Sequence, residues 1–157
     1  MIHFQNEISI NKPIGEVFPF VADLENVPLW NYYVTRVSKR TDGDVRAGAE
    51  YHQIRKTDSQ QLRIVEYEIN QALTIETIPP SEPELLREMM FQAENGRTHI
   101  VDKWQLDTGT VSLLEGLATR RVKGAVLENL TKLKELLETG QTTLQDGRRI
   151  QKSAPSN

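Results

Sequence analysis

A chain of 157 residues, 26% charged and 38% hydrophobic, has the composition of one soluble globular domain. Its formal net charge of −3 favours neither a nucleic-acid surface nor an anionic membrane as a partner. The absence of cysteine excludes disulfides and thiolate chemistry, and no apolar run reaches the roughly 20 residues that span a membrane. Because the amino terminus also lacks a signal-peptide pattern, we expect a cytoplasmic protein with no integral membrane association.

The first half of the chain predicts strands interrupted by two short helices. Apolar and polar residues alternate in Ile2–Ile10, which predicts a half-buried strand. A proline-led helix follows from Pro13, and Pro19 inside it predicts a kink or an early end, because proline lacks a backbone N–H. A second short helix is predicted over Asp23–Trp30. The next predicted strands are Tyr32–Arg40, Glu50–Lys56, Gln61–Ile69 and Leu73–Ile78.

The best local signal is the dipeptide Asn95-Gly96, which predicts a two-residue hairpin turn between the strands Leu85–Glu94 and Arg97–Leu106. Such a turn determines every facing pair of residues. One face is mainly apolar and should point to the core, with the pairs Ala93–Thr98, Phe91–Ile100, Met89–Asp102, Arg87–Trp104 and Leu85–Leu106. The other face carries the opposite-charge pairs Glu94–Arg97 and Glu88–Lys103, which suit solvent.

A long amphipathic helix is predicted from Val111 to Glu138, where apolar residues recur every three or four positions. Its stripe consists of Leu114, Ala118, Val122, Val126, Leu130, Leu133 and Leu137. At 1.5 Å per residue the helix would be roughly 40 Å long, and such a stripe needs a sheet to cover it. Gly116 and Gly124 lie within it; they leave room for a ligand, pack closely against a strand or help a bend. Residues 139–157 are polar and predict a disordered tail, so the domain is expected to span residues 1–138.

Three segments resemble a known superfamily: ISINKPIGEVFPFVADLENVPLWN at Ile8–Asn31, IVEYEI at Ile64–Ile69 and NLTKLKELLE at Asn129–Glu138. They are similar to the START-related (SRPBCC) superfamily, which includes birch-pollen-allergen-like proteins and the polyketide cyclase/dehydrase and lipid-transport group. The resemblance implies an α+β helix-grip fold, in which a curved seven-stranded antiparallel sheet surrounds a long C-terminal helix and two short helices follow strand 1. It also implies an apolar cavity under that helix. Family members bind sterols, lipids, polyketide intermediates, quinones or plant hormones there, and a minority catalyse cyclisation or dehydration.

Arg87 and Asp102 are diagonal neighbours on the apolar face of the hairpin, where a charge should be paired or hydrated. One interpretation is a polar anchor, in which Arg87 grips a carboxylate or enolate and Asp102 orients it or moves a proton. The other is a structural ion pair at the cavity mouth with nothing bound. His52 is a second candidate base, since imidazole titrates near neutral pH. Its face also carries Ile54, Arg63, Val65 and Tyr67.

The predicted ligand site combines this pair with aromatic and apolar walls. Its candidate residues are Arg87, Asp102, Tyr67, Trp104, Met89, Phe91, Ile100, Trp30 and Gly116. No cofactor or metal site is predicted, because three scattered histidines lack metal-ligand spacing and no phosphate-binding or serine-hydrolase motif occurs.

Three functional hypotheses follow. The first is binding or transport of a small hydrophobic or amphipathic molecule, such as a lipid or polyketide, under the C-terminal helix. The second is a polyketide cyclase/dehydratase-like enzyme, in which Asp102 or His52 abstracts a proton beside a carbonyl and Arg87 or Tyr67 stabilises the enolate. The third is a chaperone-like module that binds a protein partner. The ligand and the oligomeric state are left open.

Overall fold

The computed structural model describes residues 1–109 and 114–152. The described strands are β1 (Ile2–Ile10), β2 (Val34–Lys39), β3 (Glu50–Arg55), β4 (Ser59–Glu68), β5 (Ala72–Thr77), β6 (Glu84–Glu94), β7 (Arg97–Asp107), β8 (Gln141–Thr143) and β9 (Arg149–Gln151). The helices are α1 (Ile14–Ala22), a 3-10 helix (Leu24–Leu29) and α2 (Glu115–Thr139). No helix in these ranges is long and apolar enough to cross a membrane.

The seven-stranded sheet has the order β1-β7-β6-β5-β4-β3-β2 and is antiparallel throughout. Two short helices follow β1, and α2 packs against β1, so the predicted α+β helix-grip fold is confirmed. The β6–β7 hairpin has the predicted register from Glu94–Arg97 to Leu85–Leu106. The two turn residues Asn95 and Gly96 both have positive φ, at 53° and 79°, the backbone conformation that asparagine and glycine tolerate best.

Pro19 does not end its helix, so the early end that the sequence predicts does not occur at that residue. Helix α1 continues through Pro19 and ends at Ala22, and the backbone N–H of Asp23 still donates to the Pro19 carbonyl. Pro19 removes only the donor that would have reached the Gly15 carbonyl. Both Pro19 and Gly15 are exposed, so water can satisfy that carbonyl and the helix tolerates the proline.

The core fills one end of the concave sheet face. Helix α1 packs against β6 and β7 there, and the Phe18 ring contacts the rings of Phe91 and Tyr67 with centroid separations of 4.9 and 5.4 Å. Ile100 lies fully buried in the same cluster. The other end of the concave face, toward the N-terminal half of α2, is not filled in this way.

Helix α2 buries only part of its predicted stripe. Val126, Leu130, Leu133 and Leu137 are buried, whereas Leu114 and Ala118 are exposed. The predicted first turn at residues 111–113 lies outside the described residues. The two halves of the helix therefore have different environments: the C-terminal half covers the core, and the N-terminal half borders the unfilled end.

A β-bulge in β4 changes which side chains point inward. The pairing with β5 shifts between Ile64 and Glu66, so that Val65 is the extra residue. Tyr67 consequently lies opposite Leu73 and joins the core, although simple alternation places it on the outer face with Val65. The bulge explains why Tyr67 lies on a different face of the sheet from Arg63 and Val65, although the three residues alternate in sequence.

The prediction of a disordered tail is wrong for residues 139–152. Thr139 is the last residue of α2, Gly140 ends the helix with φ 83°, and β8 and β9 pair as a two-stranded hairpin. Polar composition was misleading because the hairpin is held by side-chain bonds to the domain as well as by its own backbone. Arg148 Nη2 donates to the Tyr32 carbonyl at 3.3 Å, and Lys56 pairs with Asp146 at 3.1 Å. Residues 153–157 lie outside the described residues.

Candidate functional site

The unfilled end of the sheet encloses a cavity of about 640 Å³ between the sheet, the 3-10 helix and α2. The sheet contributes Leu62, Ile75, Met89 and Leu106; α2 contributes Val122, Ala125, Val126 and Asn129; and the 3-10 helix contributes Leu24 and Val27. The volume falls within the range of roughly 300–1,000 Å³ that is typical of small-molecule sites. Most of the wall is apolar, so an occupant gains free energy chiefly by leaving water.

Aromatic side chains form much of the remaining wall. Trp30, Tyr32 and Tyr33 follow the 3-10 helix directly, and Trp104 is a residue of β7 whose ring contacts Arg87. Trp104 also stacks on Phe4 of β1 with a centroid separation of 5.6 Å. Such rings are rigid and few of their torsions are free, so they define the shape of the cavity at low entropic cost.

Arg87 is the buried cation of this wall. Its Nε and Nη2 atoms each donate to one Asp102 oxygen at 2.8 Å. The guanidinium carbon lies 4.6 Å from the Trp104 ring centroid and 5.7 Å from that of Trp30, so both indole rings are within cation–π range of it. Trp104 Nε1 donates to the same carboxylate at 3.0 Å. Three bonds thus determine the orientation of Asp102, and Asp102 in turn determines that of Arg87.

Asp102 itself lies behind the cavity wall. It is fully buried, and both of its oxygens accept hydrogen bonds from Arg87, one of them also from Trp104. A carboxylate in this position would have to break a buried ion pair before it could accept a proton from a ligand. The geometry suits an orienting residue better than a general base.

Two more arginines reach the cavity. Arg55 forms a bidentate pair with Asp58, with both N–O distances at 2.6 Å, and lies over the Tyr33 ring. The hydrogen bonds from Arg55 lower the pKa of the Asp58 carboxyl. Arg121 of α2 is exposed at the cavity margin. Among the described residues that line the cavity there is no aspartate or glutamate, so the charged groups on its surface are arginines, two of which are paired with carboxylates behind the wall.

A pair of buried glutamines adds neutral polar groups. Gln60 Nε2 donates to the Glu82 carbonyl at 3.0 Å, which fixes the orientation of the Gln60 amide because a carbonyl can only accept. Gln60 Oε1 then accepts from Gln53 Nε2 at 3.1 Å. The side-chain oxygen of Gln53, Oε1, has no hydrogen-bond partner among the described residues and can accept a hydrogen bond from a ligand.

The predicted ligand residues separate into four groups. Arg87, Trp104, Met89 and Trp30 line the cavity. Tyr67, Phe91 and Ile100 belong instead to the core that Phe18 fills, and Asp102 lies behind Arg87. Gly116 is exposed on α2 and does not line the cavity. Open space surrounds both Gly116 and Gly124, so neither packs closely against a strand.

His52 is not part of the cavity. It lies on the outer face of β3, and its Nδ1 atom lies 3.0 Å from Arg40 Nη2. Its neighbours in the strand, Tyr51 and Gln53, are the side chains that point inward. Gln53 lies on the same face of β3 as Tyr51, so assigning that face to the core would have predicted it. Alternation alone does not reveal which face of a strand is buried.

The C-terminal hairpin contacts the cavity wall from outside. Gln145 Nε2 donates to Asn129 Oδ1 at 3.2 Å, and Asn129 lines the cavity from α2. Arg148 holds the carbonyl of Tyr32, another lining residue. The hairpin therefore links the α2 side of the cavity to its aromatic side.

Three solved structures have the same fold. DR_A0006 from Deinococcus radiodurans is 15% identical, with 88% of this chain and 98% of that chain covered and a TM-score of 0.64. TTHA0849 from Thermus thermophilus is 18% identical, with 87% and 94% covered and a TM-score of 0.63. Ara h 8.0201 is 14% identical, with 86% and 96% covered and a TM-score of 0.63. At these identities the likeness shows the fold alone.

No protein of curated function matches this chain in sequence. The sequence profile of one family, polyketide cyclase/dehydrase and lipid transport, matches residues 1–138. That range contains the whole seven-stranded sheet and all of α2 except Thr139. The chain belongs to the polyketide cyclase/dehydrase and lipid transport family.

Proposed function

We propose that this protein binds a small apolar or amphipathic molecule in the cavity under α2. The observation that carries the proposal is the cavity of about 640 Å³ with mainly apolar walls. An apolar occupant of such a cavity gains free energy by leaving water and by contacts with the apolar wall. Burial of about 200 Å² of ligand surface would contribute about 5 kcal/mol at about 25 cal/mol per Å².

Family membership supports the same class of ligand. The family's description names polyketide chemistry and lipid transport, so lipids and polyketides are the first molecules to test. The aromatic wall of Trp30, Tyr32, Tyr33 and Trp104 suits either a ring system or an acyl chain. The glutamine pair would orient a ligand that carries a hydroxyl group.

Catalysis by the two predicted bases is not part of the proposal. Asp102 is enclosed behind Arg87 with both oxygens occupied, and His52 lies on the outer face of the sheet. Neither side chain reaches a ligand in the cavity without rearrangement. The geometry supports a binding protein better than an acid–base enzyme built on these residues.

Native mass spectrometry of gently purified protein tests the proposal. We expect a reproducible extra mass that disappears on denaturation and is recovered by extraction into organic solvent. Protein stripped by that extraction should take up at least one member of a panel of fatty acids, sterols and aromatic polyketides. A clean mass for the protein alone, together with no uptake from the panel, would overturn the proposal.

A further inference from the structure

We infer that the cavity selects a molecule with an apolar body and one oxyanion, such as a carboxylate, and that Arg87 receives the oxyanion. This inference deepens the proposed function and rests on it. It commits the ligand to an acidic amphiphile rather than a neutral one. It also commits the acidic group to the buried wall rather than to the margin of the cavity.

The charge of the wall is the first argument. Arg55, Arg87 and Arg121 line the cavity, and the described lining residues include no carboxylate, although the chain as a whole carries a net charge of −3. The partners of Arg55 and Arg87, Asp58 and Asp102, are themselves absent from the lining, which leaves the cations on the cavity side. A neutral apolar ligand would desolvate these cations without replacing their lost hydration.

The geometry of Arg87 is the second argument. Nε and Nη2 are bonded to Asp102, whereas Nη1 makes no hydrogen bond to any described residue. The two bonds to the buried Asp102 carboxylate fix the guanidinium plane, and the rings of Trp104 and Trp30 contact it. A donor that is already oriented loses little entropy on binding, and a bond from a cation to an oxyanion is among the strongest hydrogen bonds in proteins.

Trp30 lines the cavity with its ring and not with its polar atom. Its side chain is almost fully buried, and Nε1 has almost no accessible surface and no hydrogen-bond partner in the described part of the chain. A ligand in the cavity therefore meets the indole ring and does not reach Nε1. The donor assigned to the oxyanion is Arg87 alone.

The margin of the cavity is a weaker place for the acidic group. Arg121 is exposed, and an ion pair with an exposed arginine is screened by water and salt. Arg55 is paired with Asp58 in the same bidentate way, but its side chain is 19% exposed against 10% for Arg87, and Asp58 is exposed whereas Asp102 is fully buried. Of the three arginines that line the described cavity, Arg87 is the most deeply buried, so a bond from it to an oxyanion is the least screened by water.

Two fluorescent probes that share one ring system test the inference. Anilinonaphthalene sulfonate carries an oxyanion, and phenylnaphthylamine is the same molecule without it. The main variant is Arg87→Met/Asp102→Asn, which removes the cation and its counter-ion together and leaves the net charge unchanged. Asparagine replaces Asp102 because its amide oxygen can still accept the hydrogen bond from Trp104 Nε1. Arg120→Gln is the control, because Arg120 is exposed on α2 and outside the cavity lining.

We expect the double variant to bind the sulfonate probe about tenfold more weakly, because a charge-assisted bond is lost. Its affinity for phenylnaphthylamine and its melting temperature should change little, and Arg120→Gln should bind both probes as the original protein does. If the double variant does not fold, Arg87→Lys provides the same comparison, since it retains the ion pair but loses the planar donor edge.

Three results would overturn the inference. Equal loss of both probes in the double variant would show that Arg87 serves cavity shape rather than charge recognition. Loss of sulfonate binding in Arg121→Gln, with none in the double variant, would place the acidic group at the margin. Third, the original protein and the double variant could bind phenylnaphthylamine and also bind the sulfonate probe with equal affinity, which would overturn the inference and leave the proposed function intact. Failure of both probes to bind the original protein would overturn the proposed function as well.

Discussion

Arg87 of β6 and Asp102 of β7 form a bidentate ion pair on the concave face of the sheet, with two N–O distances of 2.8 Å. The two residues are diagonal neighbours because Arg87 pairs with Trp104 and Met89 pairs with Asp102. Asp102 is fully buried, and only about a tenth of the Arg87 side chain is exposed. This pair places a cation at an otherwise apolar cavity and couples the wall of the site to the stability of the fold.

We predict that Asp102→Asn destabilises the protein far more than Arg87→Met/Asp102→Asn does. The single substitution leaves a buried guanidinium without its counter-ion, which costs roughly 3–5 kcal/mol in comparable cases. The double substitution removes both charges together, so most of that loss should return and the melting temperature should stay close to that of the original protein. Urea unfolding of the original protein, both single variants and the double variant gives the coupling energy. Purely additive single effects would contradict this prediction.

Tyr51→Phe should be neutral or stabilising at pH 7. The Tyr51 hydroxyl is buried without a hydrogen-bond partner among the described residues, so removing it removes an unsatisfied group. Burial, reinforced by the charges of Asp23 and Glu25, raises the pKa of Tyr51 to about 12. Unfolding scans at pH 7 provide the test, and a loss of more than about 1 kcal/mol would contradict the expectation.

The same substitution should also weaken the alkaline sensitivity of the fold. Between the ordinary tyrosine pKa of 10.0 and the folded-state pKa of about 12, the unfolded chain loses its proton first. The native state then binds more protons, so the free energy of unfolding falls as pH rises through this window. Tyr51→Phe removes this contribution, so the difference in stability from the original protein should shift in favour of the variant across the same window. A difference that is independent of pH would count against the raised pKa.

Arg148→Met should loosen the link between the C-terminal hairpin and the cavity. Arg148 binds the Tyr32 carbonyl and Asp146, whereas the adjacent Arg149 is exposed and makes no ion pair within residues 1–109 and 114–152. Because the Arg148 side chain is partly exposed, the loss of stability should be no more than about 1 kcal/mol. Hydrogen exchange should nevertheless accelerate around Tyr32 in Arg148→Met and remain unchanged in Arg149→Met. Equal exchange in the two variants would show that the hairpin does not support the cavity.

Ala125→Trp should block the cavity. Ala125 and Ala118 are both exposed on α2, but only Ala125 borders the cavity. An indole in the cavity should weaken phenylnaphthylamine binding about tenfold by removing the apolar surface that the probe covers. Ala118→Trp, the matched control, should bind the probe normally. Equal affinity in both variants would place the probe outside this cavity.

Gly124→Ala should stabilise the protein by up to about 1 kcal/mol, because Gly124 is in the interior of α2 and open space surrounds an added Cβ. Gly140→Ala is the opposite case. Gly140 ends α2 with φ 83°, a conformation that alanine adopts only with strain. Thermal melts should therefore move in opposite directions. A Gly124→Ala variant that is less stable than the original protein would contradict the open space inferred around this glycine.

Local chemistry determined much of the fold. The Asn95-Gly96 turn set the register of the β6–β7 hairpin, and through it the approach of Arg87 to Asp102. Alternation located β1 at its observed bounds, and the helical period located α2 to within one residue of its C-terminal end. These features depend on neighbours along the chain or across a two-residue turn, so sequence spacing is enough to predict them.

Tertiary packing decided which side chains reach the cavity. The bulge at Val65 moved Tyr67 to the inner face, and Phe18 then filled the space beside Tyr67 and Phe91, so these residues became core. The hairpin after Gly140 formed because its side chains found partners on distant segments. The amino-acid sequence by itself determined the strands, the long helix and the Arg87–Asp102 pair. The location of the cavity, the exclusion of His52 and the folding of the tail depend on contacts between distant residues, which spacing along the chain does not encode.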